Sequence, residues 1–447
     1  MTLLRRSVMV VAVVALTAVA PASSEMQRLP LGEPILVGAV FPLSGSAAQL
    51  AGYELRGVKI AAEQVNADGG VAGRPIQLEI RDLQRGADAP AVMTSLRERG
   101  VQLVIGAYGS DLSIAASQAA NAAELVYWEA GAVADRLTGR GLPMVFRVGA
   151  SGTNLGSNSS RFAAAELAPR LGVVPAALRV AIVAADDAYA TSVADAAAAT
   201  ASSLGMPIVL KTSYSLLVPA WQQVMAGLAA AHPDVIILAS HIPDGIAFRR
   251  AMLTAGLKVS ALIGSTMAEC DPDFAGDLGA AAVGIFASDR PTAGFQADAL
   301  SPAARATYDR FAAAWGSAPI DSGSQGPGYG DAEYAISGPG ESASAAATEE
   351  ALSGFSAAWA LFADVLPAAA AHGKLDAPSI ASAARAVDLP DGSLANGAGL
   401  RFSADPATLG QNERAAAVIW QWQAVRTYAF VWPATFATGS IRFVPLP

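Results

Sequence analysis

Few residues in this 447-residue chain stand in patterns that could carry covalent chemistry. The three histidines and the single cysteine, Cys270, are scattered, so neither a zinc site nor a cysteine nucleophile with its base is expected. There is no G-x-S-x-G elbow, P-loop, H-E-x-x-H or complete G-x-G-x-x-G; Gly326, Gly328 and Gly330 alternate inside a Pro-containing stretch and are a weak sign of a nucleotide loop. What the sequence does offer is recognition of a small polar molecule. Residues 106–111 (GAYGSD) follow an apolar run and open a helical one. The backbone N–H groups around Tyr108 and Ser110 would then face outward at the positive end of a helix dipole, suited to an anionic or carbonyl oxygen. Ser110 or Asp111 would serve equally as N-cap of a helix over 112–123. Glu129 follows Tyr127 and Trp128 at the end of another apolar run, where burial without a partner would cost several kcal/mol. It either takes a donor or cationic group or is a partly exposed strand-end carboxylate. His241, after Ser240 and the run 235–239, is a lone histidine of the kind more often structural than ligand-binding.

These candidates need a scaffold that brings loop ends together. Residues 35–41 form a short apolar run consistent with a buried parallel strand, stopped by the turn at 42–45. Leu55, Val58, Ala62 and Val65 recur at helical spacing, 66–70 supply a polar and glycine stop, and 76–80 alternate as the next strand. Strand-like runs at 102–105, 125–128, 180–184, 207–211, 235–239, 261–264 and 283–287 alternate with helix-like stretches. This rhythm predicts an α/β fold of right-handed parallel sheets with helices on both faces, in which ligands bind beyond the carboxyl ends of the strands. With 53% hydrophobic and 15% charged residues the chain is ample for two such lobes.

Pro42, Leu43, Ser44 and Gly45, followed by Asn66, Gly69, Gly70 and Gly73, resemble the opening βαβ unit of the type I periplasmic solute-binding proteins, the leucine/isoleucine/valine-binding family of ABC importers. The likeness continues, more weakly, to about Trp422. It implies two Rossmann-like lobes joined by three crossovers with a ligand cleft between them. The crossovers fall near 148–152, 288–292 and 389–400. One lobe would comprise 34–149 plus 290–388, the other 150–289 plus 400–447. In this alignment Ser110 matches a serine that binds the ligand carboxylate. Gly131, Ala132 and Val133 stand where amino-acid binders place a backbone carbonyl and a threonine hydroxyl, so that the hydroxyl is lost. Tyr189 matches a tyrosine covering the ligand, and His241 falls where several relatives carry an aromatic. Thr266 replaces the glutamate that holds an α-ammonium group. The two losses weaken the case for an α-amino acid and leave amides or other small solutes open. The stretch 317–344, rich in Gly, Ser and Pro, looks like an inserted surface loop or a flap beside the cleft, and Tyr428, Phe430, Trp432, Phe436 and Phe443 suggest core strands near the end of the chain.

Residues 1–22 read as a cleavable signal peptide: Arg5 and Arg6, an apolar run over 8–20, then small residues. No cysteine follows it to accept a lipid anchor, which fits a periplasmic protein. A net charge of −9 without a basic cluster disfavours nucleic acid. The expected partners are a small-molecule solute and an inner-membrane ABC permease, the chain acting as a monomer. No enzyme activity, cofactor or metal is expected. A sensor that reports to a membrane receptor is the other role the fold serves.

Overall fold

The computed structural model describes residues 32–265, 272–317, 347–425 and 427–447. The signal-like segment 1–22, Thr266, Cys270 and nearly all of 317–344 lie outside the described residues.

The first sheet is built from β1 (Ile35–Phe41), α1 (Ala48–Ala67), β2 (Ile76–Asp82), α2 (Ala89–Glu98), β3 (Leu103–Gly106), α3 (Ser110–Ala122), β4 (Val126–Glu129) and β5 (Val145–Arg147). Its strands are all parallel in the order β2-β1-β3-β4-β5. The turn after α1 explains the glycine motif, since Gly69, Gly70 and Gly73 have φ of 104°, 71° and 76°, where an L side chain is strained.

The chain then continues through α4 (Gly152–Phe162), α5 (Ala168–Arg170), β6 (Val180–Ala185), α6 (Ala188–Ser203), β7 (Ile208–Tyr214), α7 (Trp221–Ala231), β8 (Val235–Ala239), α8 (Ile242–Thr254), β9 (Ala261–Ser265), α9 (Pro272–Leu278) and β10 (Phe286–Asp289). Strands β6 and β8 are buried along their whole length, as unbroken apolar runs between two helical layers should be. After α10 (Pro302–Ser317), α11 (Glu349–Trp359), α12 (Leu366–Ala371) and α13 (Ala377–Ala386) come the short antiparallel pair β11 (Asp388–Leu389) and β12 (Leu400–Arg401), then β13 (Val418–Ala424) and β14 (Thr427–Trp432). The second sheet runs β14-β13-β10-β9-β8-β6-β7. The rhythm of the runs predicts a parallel sheet, and this one departs from it at one edge, where β13 pairs antiparallel with β10 and β14 antiparallel with β13. A hairpin can add to a sheet edge without a crossover helix. Tyr428, Phe430 and Phe436 are buried there, while Trp432 and Phe443 are half-buried.

Helix α11 crosses α1 at backbone contact. A Cβ on Gly57 would come within 2.1 Å of the Ala351 carbonyl oxygen, and one on Gly354 within 2.2 Å of the Glu54 carbonyl oxygen. Trp128 in β4 donates its indole N–H to the Ala357 carbonyl at 2.9 Å, so helices beyond residue 300 seal the first sheet.

Candidate functional site

Strands β3 and β4 end side by side, and the loops that follow them are tied into one network. The loop after β3 turns through Tyr108 (φ 66°) and Gly109 (φ 84°). Gly109 is the N-cap of α3, with no side-chain capping bond, and Ser110 is already helical. Neither Ser110 nor Asp111 therefore caps the helix. The buried Ser110 Oγ instead accepts the N–H groups of Val133 at 3.2 Å and Ala134 at 3.0 Å, because the loop after β4 folds back over it.

Glu129, at the last position of β4, is 0% exposed. Its Oε1 accepts the N–H groups of Gly131 (2.9 Å) and Ala132 (2.8 Å), and its Oε2 accepts the Tyr127 hydroxyl (3.0 Å). Ser110 and Glu129 together take every backbone N–H from Gly131 to Ala134. The carbonyls of the same loop go to two buried arginines. Arg290 Nη1 donates to Ala130 O (3.3 Å) and Gly131 O (2.9 Å). Arg147 Nη1 donates to Ala132 O (3.4 Å), Val133 O (2.7 Å) and Ala134 O (2.6 Å). Arg147 Nε also donates to Gln411 Oε1 at 2.6 Å, and Asn412 Nδ2 donates to Val148 O at 2.9 Å, so the segment after β12 is stitched to the segment after β5. Asp135 N–H donates to Ser192 Oγ on α6 at 2.8 Å, which fastens the loop to the other lobe.

The electrostatics follow from this burial. Desolvation raises the Glu129 pKa, opposed by the N–H groups of Ala132 and Gly131. Desolvation lowers that of Arg147 to about 10, opposed by Asp135 and Glu129, which leaves it a cation at neutral pH. For Arg290 the desolvation penalty is outweighed by Glu349, Asp289, Glu54 and Glu350, and its pKa rises. Arg290 forms an ion pair with Glu349 at the first turn of α11. The Tyr108 hydroxyl lies 3.5 Å from Glu350 Oε1. Glu54, from the middle of α1, is 0% exposed, and a Cβ on Gly131 would come within 2.1 Å of its Oε2.

A second cluster sits at the carboxyl ends of β6, β8 and β9. Tyr189, buried in the first turn of α6, shares a 2.6 Å hydrogen bond with Ser265 Oγ, donates to Ser240 O at 3.4 Å, and meets the His241 ring edge-on at 5.4 Å. His241 Nε2 lies 2.9 Å from Asp187 Oδ2, and Nδ1 lies 3.7 Å from Asp244 Oδ1. Asp244 also accepts the Tyr214 hydroxyl. Desolvation opposes the histidine's charge, but the hydrogen bond to Asp187 and the adjacent Asp244 carboxylate outweigh it and raise the pKa to about 9. His241 is thus a cation at neutral pH, held between two carboxylates.

The structure therefore gathers Tyr108, Ser110, Glu129, Gly131, Ala132 and Val133 at one lobe, and Tyr189 with His241 at the other; Thr266 lies outside the described residues. Sequence reasoning did not single out Glu54, Arg147, Arg290, Glu349 or Glu350. A signal existed for the first: Glu54 stands on the stripe of α1 that Ala51, Val58, Ala61 and Val65 bury. Arg147 and Arg290 each stand at or just after the end of an apolar strand, where a charge needs a reason to be.

The sequence model of the periplasmic binding protein family matches residues 34–356. The Leu/Ile/Val-binding protein homolog 8 of Brucella abortus is 30% identical over 408 residues, 91% of this chain and 92% of that protein. Among solved structures, the branched-chain amino acid substrate-binding protein LivJ of Streptococcus pneumoniae in complex with isoleucine superposes with a TM-score of 0.66 at 19% identity, covering 90% of this chain and all of that one. A solute-binding protein of an ABC transporter from R. palustris in complex with benzoate gives 0.65 at 16%, covering 92% and 99%.

Proposed function

This chain belongs to the leucine/isoleucine/valine-binding family of type I periplasmic binding proteins, and from that premise we propose that it is the extracytoplasmic substrate-binding component of an ABC importer, capturing a small organic solute between its lobes and presenting the closed form to a membrane permease. The observation that carries this is the end-to-end match to a binding-protein homologue, over 92% of that protein, on a chain whose two strand-end clusters belong to separate sheets. Closure requires the solute to touch both lobes, because only differential affinity for the closed state shifts the equilibrium. The first wall is formed by Tyr108, Ser110 and the loop Gly131–Ala132–Val133, whose shape Glu129 holds. The second is formed by Tyr189 and His241. With the amides of the first wall already donating to Glu129 and Ser110, these two side chains support the wall, and the solute reads its surface.

The test is a thermal-shift screen of the protein lacking residues 1–22 against branched amino acids, amides, urea, aromatic acids and polyols. A true ligand at 100 times its Kd adds about 2.7 kcal/mol of stability, saturably. Silence across the panel would count against solute capture of these classes.

A further inference from the structure

Glu54 is a buried acid of the first cluster with neither a hydrogen bond nor an ion pair among the described residues. Both carboxyl oxygens are buried and neither has a hydrogen-bond partner among the described residues. Nearly all buried polar groups in native proteins are paired, and one that is not calls for an explanation. Packing does not supply it. Glu54 lies on the apolar stripe of α1, against α11, where an aliphatic side chain of the same length would cost no desolvation. Its surroundings add acid to acid: the buried Glu129 at the end of β4 and the buried Glu350 on α11 both act on it, against the single cation Arg290. The carboxyl rests on Gly131 and beside the Tyr108 ring, at the carboxyl ends of β3 and β4, next to the crossover that carries Arg290. A metal ion is a poor match, since no group of three or more Asp, Glu, His or Cys side chains among the described residues is arranged to hold one. An ammonium group, with its three N–H donors, answers both the unmet acceptors and the excess of negative charge.

Resting on the capture reading above, we propose that Glu54, with Glu350 beside it, is the recognition point for a protonated amine of the captured solute, and that the cargo is a small organic ammonium compound. Nearby charges strengthen the inference. Desolvation raises the Glu54 pKa, Glu129 and Glu350 raise it further, and Arg290 only partly opposes them. Burial and these neighbours favour the protonated carboxyl, so an arriving ammonium group is expected to displace a proton.

The experiment uses the mature chain, wild type and Glu54→Gln, against matched pairs of probes: isopentylamine and 4-methylpentanoate, benzylamine and benzoate, leucinamide and 4-methylpentanamide. The amine-bearing members are expected to stabilise the wild type saturably. Calorimetry in buffers of different ionisation enthalpy should show proton release on binding. Glu54→Gln should weaken that binding by about 10- to 100-fold and abolish the proton release while melting no lower than the wild type, which separates lost recognition from lost folding. Equal amine binding by Glu54→Gln overturns the assignment. Stabilisation by carboxylates or neutral solutes alone overturns it and leaves solute capture standing. A panel in which no amine binds also overturns it, whereas the capture reading falls only if the wider screen is silent as well.

Discussion

Glu129 and Glu54 are both fully buried glutamates that reach the same loop, and they are built in opposite ways. Glu129 accepts from two backbone amides and a tyrosine hydroxyl, so its burial is repaid locally. Glu54 accepts from nothing among the described residues. Burial and charge alone do not separate a supporting carboxylate from a recognition carboxylate; the count of satisfied acceptors does. Glu129 completes a network and serves the fold, whereas Glu54 leaves its acceptors open at the carboxyl ends of β3 and β4, where the proposed ammonium group would bind.

The largest effect expected from this contrast is at Glu129. Glu129→Ala leaves the amides of Gly131 and Ala132 and the Tyr127 hydroxyl without their acceptor in a dry site, which should cost about 3–5 kcal/mol in urea unfolding. A loss below about 1 kcal/mol would erase the distinction between the two glutamates.

The other lobe supplies a largely buried charge that is paired with carboxylates and titrates well above neutrality. His241 carries a folded pKa raised to about 9 from an ordinary 6.5. Its contribution, up to about 3 kcal/mol, is complete below pH 6.5 and is lost as pH rises through 9. Urea midpoints of the wild type should fall across that window, and those of His241→Gln should fall less. Parallel profiles would mean that Asp187 and Asp244 do not hold the imidazolium.

Glu54 should behave unlike either. A carboxyl whose folded pKa is raised binds its proton more tightly in the fold, so its effect on stability is least harmful at low pH and worsens as pH rises above about 4.5. Glu54→Gln should therefore gain about 1–2 kcal/mol near pH 8, a gain that shrinks towards pH 4.5. A Glu54→Gln protein less stable than wild type at pH 8 would show that the carboxyl has a partner worth keeping.

How much of this was legible in the sequence depended on how local the determinants are. Strand β1 matches its apolar run residue for residue, and α1 matches its helical stripe, because burial there is decided within a few neighbours. Glu129 announced itself as an acid ending an apolar strand. Its partners, Gly131 and Ala132, are adjacent, but the sequence carries no sign that their amides turn back. Arg147 and Gln411 are 264 residues apart, and Arg290 meets the Ala130 carbonyl across 160, so nothing local reports either bond. Glu54 was hidden for a different reason. A helical stripe is read by its apolar members, and a polar residue on it is the exception that periodicity averages away.

The smallest expected effect bears on Ser110, the residue whose two readings diverge most. As a carboxylate-binding serine, its removal would weaken ligand affinity and leave the fold alone. In the structure its Oγ accepts the amides of Val133 and Ala134 at 3.2 and 3.0 Å and is buried. The Val133 bond is at the long end for N–H···O bonds, both are neutral, and a loop that loses them can shift towards water, so Ser110→Ala should cost only about 1 kcal/mol. Ligand affinity, once a ligand is in hand, should change less than about threefold, because the hydroxyl faces the neighbouring loop. A tenfold loss of affinity with unchanged stability would reverse the assignment, and would mean that the loop after β4 releases Ser110 when the solute enters.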